Sequence, residues 1–321
     1  MGIEYNLPEE FVERLHEIAS MVGLEADLEP FYQSRTTSFR THSLMGNETE
    51  LISELEKEGF TLFPVTGISG AFRVNDDQRR RLTDSPAVTE GRLFIQNPSS
   101  MIPPITLDPQ PGEEILDLAA APGGKTLHMA ALMQNKGRIA AVESVRSRFF
   151  RLRRNLEQFG VKIADTYLKD GAQVWKVRPE HFDRVLIDAP CSGEGRFTTT
   201  DPKSFAYWSE KKIREMARKQ KRLLHSAVRA LKPGGLLVYC TCTFAPEENE
   251  FIVDKVLQQF GGCLRIEPIH LNLSSVTPAL TSWRGRHFDR TLSQAVRIWP
   301  DEVMEGFFIA LLRKVANIKE N

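Results

Sequence analysis

The hydrophobic positions fall into two regimes. Up to about residue 60 they recur at helical spacing, as in Glu9–Val22 and in Thr49–Glu58, where Leu51 and Leu55 mark a short apolar face. Between Gly67 and Pro104, short strand-like pieces mix with turn formers such as Gly70, Asn75, Pro86, Gly91, Pro98, Pro103 and Pro104. From Gly112 the pattern becomes regular. Apolar runs of strand length occur at Ile115–Leu118, Ile139–Val142, Ala164–Leu168, Val185–Ile187, Leu236–Tyr239 and Leu264–Ile266. Helical stretches at Thr126–Gln134, Ser147–Phe159, Trp208–Leu231 and Pro246–Phe260 separate most of them. Short buried strands alternating with helices predict an α/β fold with a doubly wound, mostly parallel sheet. A last run, Phe307–Leu312, is expected as an edge strand. The change of regime places a domain boundary near Glu90, dividing a small α+β domain (residues 1–90) from a larger α/β domain (residues 91–321).

Composition narrows the class. With 321 residues, 41% apolar and 26% charged, the chain has the make-up of a globular protein with a sizeable core. No apolar stretch approaches the ~20 residues of a membrane span. The opening MGIEYNLPEE has no basic signal-peptide region, and four cysteines do not make a disulfide scaffold. A cytoplasmic, monomeric enzyme with neither membrane nor metal partner is expected. The net charge is zero, but the charges are segregated: residues 1–60 hold 13 acids and 4 bases, the remainder 29 acids and 38 bases. Lys203–Lys232 contains 10 bases and 2 acids, and Arg146, Arg148, Arg151, Arg153 and Arg154 form a second cluster. Either cluster alone reads equally well as a solvated helix face. Together they point to a polyanionic partner.

Ligands of a doubly wound sheet bind beyond the carboxyl ends of its strands, and four of those ends carry an acid: Asp117, Glu143, Asp170 and Asp188. The first is followed by a turn of small residues, Ala119-Ala120-Ala121-Pro122-Gly123-Gly124-Lys125-Thr126, that opens a helix. Glu143 lies 19 residues after Gly124, about where an acid reaches a ribose diol. The turn is one residue short of a phosphate-binding P-loop, since Ala119 stands where that motif has glycine. A P-loop-like NTPase is therefore the competing reading, with Lys125 in its favour. S-adenosylmethionine has no phosphate and carries a sulfonium cation, so a site ringed by four acids suits it better than a polyphosphate.

Two further segments define the reaction. Asp188-Ala189-Pro190-Cys191-Ser192-Gly193-Glu194-Gly195 follows the fourth strand, and Cys240-Thr241-Cys242-Thr243 the fifth. Adjacent strand ends would bring one cysteine from each into a single cleft. The cysteines lack the paired spacing of a zinc site, and Cys263 reads as a small buried apolar side chain. Carbon 5 of a pyrimidine is too weak a nucleophile to take a methyl group directly. A thiolate that adds to carbon 6 turns the ring into an enamine, whose carbon 5 can react. Asp188 could protonate or hydrogen-bond the ring nitrogen. On the residues alone, either Cys191 or Cys242 could be the nucleophile.

LDLAAAPGGKT (Leu116–Thr126), DAPCSGEG (Asp188–Gly195) and YCTCTFAPEENE (Tyr239–Glu250) resemble, in order and spacing, the signature segments of the Sun/Fmu-type RNA cytosine-5 methyltransferases. GRLFIQNPSSMIPPITLDPQPGE (Gly91–Glu113) and RIWPDEVMEGFF (Arg297–Phe308) extend the likeness, so it runs from about Gly91 to Lys314. The resemblance implies a Rossmann-like class I methyltransferase domain, S-adenosyl-L-methionine as co-substrate and an RNA partner. Cys242 would be the attacking thiolate and Cys191 would assist product release. Ala120, Ala121, Pro122, Gly123, Gly124, Lys125, Thr126, Glu143, Arg148, Asp170 and Asp188 would line the cofactor site, with Lys125 and Asp188 also touching the base. Glu143 would take the ribose hydroxyls and Asp170 the adenine amino group. The compact layout resembles bacterial ribosomal members, which favours ribosomal over transfer RNA. Cys240 stands where the family usually has Ser. RTHSL (Arg40–Leu44) has His42 where the related N-terminal segment has Asn, which weakens the case for RNA contact by the small domain. A catalytically inactive RNA-binding relative is the remaining alternative, disfavoured by the presence of both cysteines and all four acids. The target base must leave its stack to reach Cys242. The Gly193–Trp208 loop, the basic helix after it and Ser274–Arg297 are the candidates for gripping the RNA.

Overall fold

The computed structural model describes residues 6–318. The chain opens with α1 (Glu9–Met21) and α2 (Glu29–Tyr32), followed by β1 (Thr37–Thr41), α3 (Glu48–Lys57), β2 (Leu62–Pro64), β3 (Ala71–Val74), α4 (Arg79–Thr83), α5 (Pro86–Thr89) and β4 (Leu93–Ile95). The four strands form an antiparallel sheet in the order β2-β3-β1-β4. Asn47 caps α3 by accepting the Glu50 N–H at 3.2 Å. Leu51 and Leu55 then pack with Phe39, Phe60, Val74, Leu82 and Leu93 into a small core. The helical reading of the first 60 residues misses β1, one of the two inner strands of this sheet. Its Ser38 and Arg40 are polar yet buried, so the apolar alternation that announces a strand is absent. Residues 93–95 complete the small sheet, whereas Phe11, Leu15, Ile18 and Phe31 pack into the core of the large one.

The larger sheet follows α6 (Ile102–Leu107). Its first part alternates strand and helix: β5 (Glu114–Leu118), α7 (Gly124–Leu132), β6 (Arg138–Glu143), α8 (Arg146–Gln158), β7 (Ala164–Leu168), β8 (Phe182–Asp188), α9 (Glu210–Ala230) and β9 (Leu231–Thr241). The chain continues through α10 (Glu250–Gln259), β10 (Leu264–Glu267), β11 (Val276–Pro278), β12 (Ser282–Trp283), β13 (Arg286–His287), β14 (Val296–Ile298) and β15 (Phe307–Lys314). The order is β11-β14-β15-β9-β8-β5-β6-β7, with β10 also paired to β15, and β12 and β13 form a separate ribbon. β7, β6, β5, β8 and β9 are parallel. The chain moves outward from β5 through β7 and returns at β8. This reversal creates the switch point at which such sheets bind ligands. The fold is thus the Rossmann-like α/β architecture that the sequence predicts.

Two boundaries differ from expectation. Phe307–Leu312 is not an edge strand, because β15 lies between β9 and β14, antiparallel to both. Its Phe307, Phe308, Ile309, Ala310 and Leu312 are all buried, as an inner strand requires. The last long helix starts at Glu250, four residues after Pro246. Asn249 is diverted into the turn, where its side chain accepts from Thr241 Oγ1 at 2.6 Å and donates to the Thr243 carbonyl at 2.8 Å. The region Ser274–Arg297 contains three short strands and the start of a fourth rather than a plain loop, and its Arg297 forms a fully buried ion pair with Glu250. No helix among the described residues is long and apolar enough to cross a membrane.

Phe308 is fully buried and sits edge-on to Tyr239 of β9, with ring centroids 6.4 Å apart. Phe308→Ala should therefore lower the unfolding free energy by about 3–5 kcal/mol. Urea titration checks this, and a loss below ~1 kcal/mol would fit an exposed edge strand instead.

Candidate active site

The turn after β5 is built for close approach. Gly123 caps α7 at φ 111°, a conformation that favours glycine. A Cβ on Gly124 would stand 2.8 Å from the Phe94 ring, so the next residue must also lack a side chain. The turn lets α7 begin beside a cavity of about 280 Å³ that is lined by Asp117, Ala119–Pro122, Gly124, Lys125, Asp188 and Cys242. A second cavity of about 290 Å³ holds Glu143, Asp170, Lys169 and Leu223. Ala119 and Arg148 line both, which makes the two cavities halves of one cleft along the carboxyl ends of β5, β6 and β8.

The predicted acids differ in environment. Asp117 is fully buried and accepts the Thr126 hydroxyl at 2.5 Å, while its Oδ1 has no partner. Burial pushes its carboxyl up to about 7 against the pull of that hydroxyl, and Asp188 adds to the rise. Glu143 is equally buried. Its Oε1 accepts the Val145 N–H at 2.8 Å, and its Oε2 has no hydrogen-bond partner, with Arg148 at 3.9 Å. Asp170 accepts the Ala172 N–H at 3.0 Å and pairs with Arg222 at 3.0 Å. Asp188 receives Lys125 Nζ at 2.7 Å, and the same ammonium donates to Ser100 Oγ at 3.1 Å. Burial works against the charge of Lys125, yet Asp188 and the nearby Cys240 and Cys242 sulfurs hold its pKa above the usual value. Gly123 and Thr126 shape the turn without lining either cavity.

The cysteines meet as their strand ends predict. Sγ of Cys191 lies 3.3 Å from Sγ of Cys242. Cys242 lines the first cavity and Cys191 does not, so Cys191 stands behind its neighbour. Contact with the Cys242 sulfur and burial raise the Cys191 thiol well above its ordinary value, so Cys191 keeps its proton at neutral pH. Cys240 is fully buried and points at the Ile187 carbonyl, 3.4 Å away. No group of three His, Cys, Asp or Glu side chains among the described residues could hold a metal ion.

Two buried carboxylates that motif reading left without a role brace the cysteine loops. Glu194 accepts from Thr243 Oγ1 at 2.8 Å, the Phe244 N–H at 3.0 Å and Trp208 Nε1 at 2.9 Å. Glu248 accepts from the Ser192 N–H at 3.0 Å and Gln220 Nε2 at 2.7 Å. Burial drives Glu248 up to about 8 despite these donors. Ser192 Oγ lies 2.7 Å from Thr243 Oγ1, and the Gly195 N–H donates to the Cys242 carbonyl at 3.0 Å. The residues following the two cysteines are thus tied together directly. Phe94, Gln96, Ser100, Glu305 and Phe307 also line the first cavity, with Arg196 beside them. Their segments carry the resemblance, but nothing in their residue types singles them out before the chain is folded.

A Rossmann-like sheet, a glycine turn, acids at the strand ends and two adjoining thiols define a class I methyltransferase. Residues 104–313 match the family 16S rRNA methyltransferase RsmB/F, and the chain belongs to that family. The chain is 41% identical, over 88% of its length and 89% of the relative's, to the tRNA (cytosine(49)-C(5))-methyltransferase of Pyrococcus abyssi. It is 35% identical to ribosomal RNA small subunit methyltransferase F of Vibrio vulnificus, covering 97% of this chain but only 65% of that longer protein. A crystal structure of a methyltransferase homolog from Pyrococcus horikoshii superposes with a TM-score of 0.78 at 31% identity, over 96% of this chain and all of that one.

Asp117 generates a prediction about stability. An acid whose pKa is raised from 3.8 to about 7 on folding takes up a proton as the chain folds. Its contribution is complete below the unfolded value and is lost as pH rises through about 7, at up to ~1.4 kcal/mol per pH unit. Asp117→Asn should flatten this decline in urea titrations between pH 4.5 and 7.5; an unchanged slope contradicts the assignment.

Proposed function

We propose that this protein methylates carbon 5 of a cytosine in a structured RNA, using S-adenosylmethionine and a covalent bond from Cys242 to carbon 6. The observation that carries the reading is the 3.3 Å contact between the two sulfurs, at the wall of a cavity that also holds Asp188 and Lys125. The cleft fits the cofactor on its own terms. The unpartnered oxygens of Glu143 and Asp117 are buried acceptors beside its two halves, suited to ribose hydroxyls and to a cationic donor. Ala120–Lys125, Arg148 and Asp170 complete the surroundings. When bound, S-adenosylmethionine supplies an electrophilic methyl group on a sulfonium.

The chain's own residues do the rest. Cys242 adds as thiolate to carbon 6 of the ring. The Lys125 ammonium, held by Asp188, stabilises the negative charge that addition places on the ring, and Asp188 hydrogen-bonds the base. Carbon 5 thereby becomes nucleophilic. Once it is methylated it gives up its proton to a water molecule acting as base, and the electron pair re-forms the ring double bond as the carbon–sulfur bond breaks to return the Cys242 thiolate. Cys191, still protonated, donates a hydrogen bond to that departing sulfur.

Relatives named for transfer RNA and for ribosomal RNA support both substrate classes. Bisulfite sequencing of unmodified ribosomal and transfer RNA after incubation with enzyme and cofactor discriminates them, and a protected cytosine in one class identifies the substrate. Cys242→Ala should abolish methyl transfer, by more than about 10³-fold. Cys191→Ala should accumulate a protein–RNA adduct that survives denaturing electrophoresis. Normal turnover by Cys242→Ala would refute the assignment.

A further inference from the structure

Resting on the RNA reading above, we propose that the outer face of α8 is a docking surface for the phosphate backbone of the substrate RNA outside its target nucleotide. The helix exposes Arg146, Arg148, Arg151, Arg153 and Arg154. Of the five, Arg148 alone forms an ion pair among the described residues, with Glu143 at 3.9 Å. Like charges three or four residues apart weaken an isolated helix by a few tenths of a kcal/mol per pair. A face that keeps Arg148, Arg151 and Arg154 at such spacing is suited to an external polyanion rather than to the helix itself.

The other basic regions behave differently. On α9, Lys212 and Lys219 pair with Glu215, Arg214 with Glu210 and Arg222 with Asp170. In the segment Ser274–Arg297, Arg284 is held by Glu17 and Arg286 by Asp254. Part of the charge of those regions is answered within the chain, with Lys211, Arg218 and Lys221 of α9 left without an ion pair among the described residues. On α8, Arg146, Arg151, Arg153 and Arg154 form no ion pair among the described residues, although Glu157 puts one exposed acid on the same helix.

Position supports the assignment. In the first turn of α8, Arg148 lines both halves of the cleft. In the last, Gln158 donates to the Val88 carbonyl of the small domain at 3.1 Å. Thirteen helical residues span ~20 Å, about six stacked nucleotides at ~3.4 Å each. Phe150 is 50% exposed, with the Arg146 guanidinium 5.8 Å from its ring. An exposed ring between arginines is a platform on which an unpaired base can stack.

The test is the triple variant R151A/R153A/R154A, which leaves every cavity-lining residue in place. Fluorescence anisotropy with labelled substrate RNA over a salt series should give a log K against log salt slope shallower by about 2, at ~0.7–0.9 per lost phosphate contact. KM for RNA should rise at least about tenfold, while kcat at saturating RNA and the affinity for S-adenosylmethionine stay unchanged. Replacing the same three residues with Lys should restore most of the slope, because a phosphate contact needs the charge rather than the fork. An unchanged slope and KM overturn the proposal, as does a loss of kcat at unaltered RNA affinity. So does a variant that loses binding to an acidic protein but not to RNA. A wild-type protein that binds RNA through this face yet transfers no methyl group would sink the functional reading and leave the surface standing.

Discussion

The contact between the Cys191 and Cys242 sulfurs depends on two loops from neighbouring parallel strands staying in register past the point where the sheet ends. Ladder pairing carries the alignment as far as Asp188 opposite Cys240, and the Ala189 N–H extends it to the Cys240 carbonyl at 2.9 Å. Beyond that, the backbone has no regular partner. The Ser192–Thr243 hydroxyl contact and the carboxylates of Glu194 and Glu248 take over. Burying a carboxylate costs several kcal/mol unless donors satisfy it. Glu194 has three donors, and Glu248, which burial pushes up to about 8, is held by the Ser192 and Gln220 groups; both carboxyl groups thereby fix the loops that hold the thiols.

The same economy of charge organises the cavity. Lys125 is buried and could not remain an ammonium there without Asp188, and Asp188 is oriented by the lysine in return. Asp117 is placed so deeply that its carboxyl is pushed up to about 7, with Thr126 behind it. The cleft thus sets a buried cation and its partner carboxylate in the same cavity as the Cys242 sulfur.

Much of this is legible in the chain. β5, β6, β8 and β9 announce themselves because their inner residues are buried and read as apolar runs, whereas the edge strand β7, ADTYL, is largely exposed. Asp117, Glu143 and Asp188 are visible as polar residues interrupting or ending those runs. β1 hides because its Ser38 and Arg40 are buried polar groups, and β15 is misplaced because a run of apolar residues does not say which neighbours it will have. Phe94, Ser100 and Phe307 lie in segments that share the resemblance, but their residue types carry no site chemistry, so only the fold shows that they reach the cavity. Glu248 sits inside a recognisable motif, but its role depends on the Ser192 N–H, 56 residues away in sequence.

Peptide mapping by mass spectrometry, after reaction with cofactor and RNA bearing 5-fluorocytosine at the target, tests the central claim most directly. Fluorine at carbon 5 cannot leave as a proton would, so the sulfur that adds to carbon 6 stays attached. Stoichiometric attachment at Cys242, with Cys191 unmodified, is the expected result. Attachment at Cys191, or fully methylated RNA with no protein bound to it, would contradict the account.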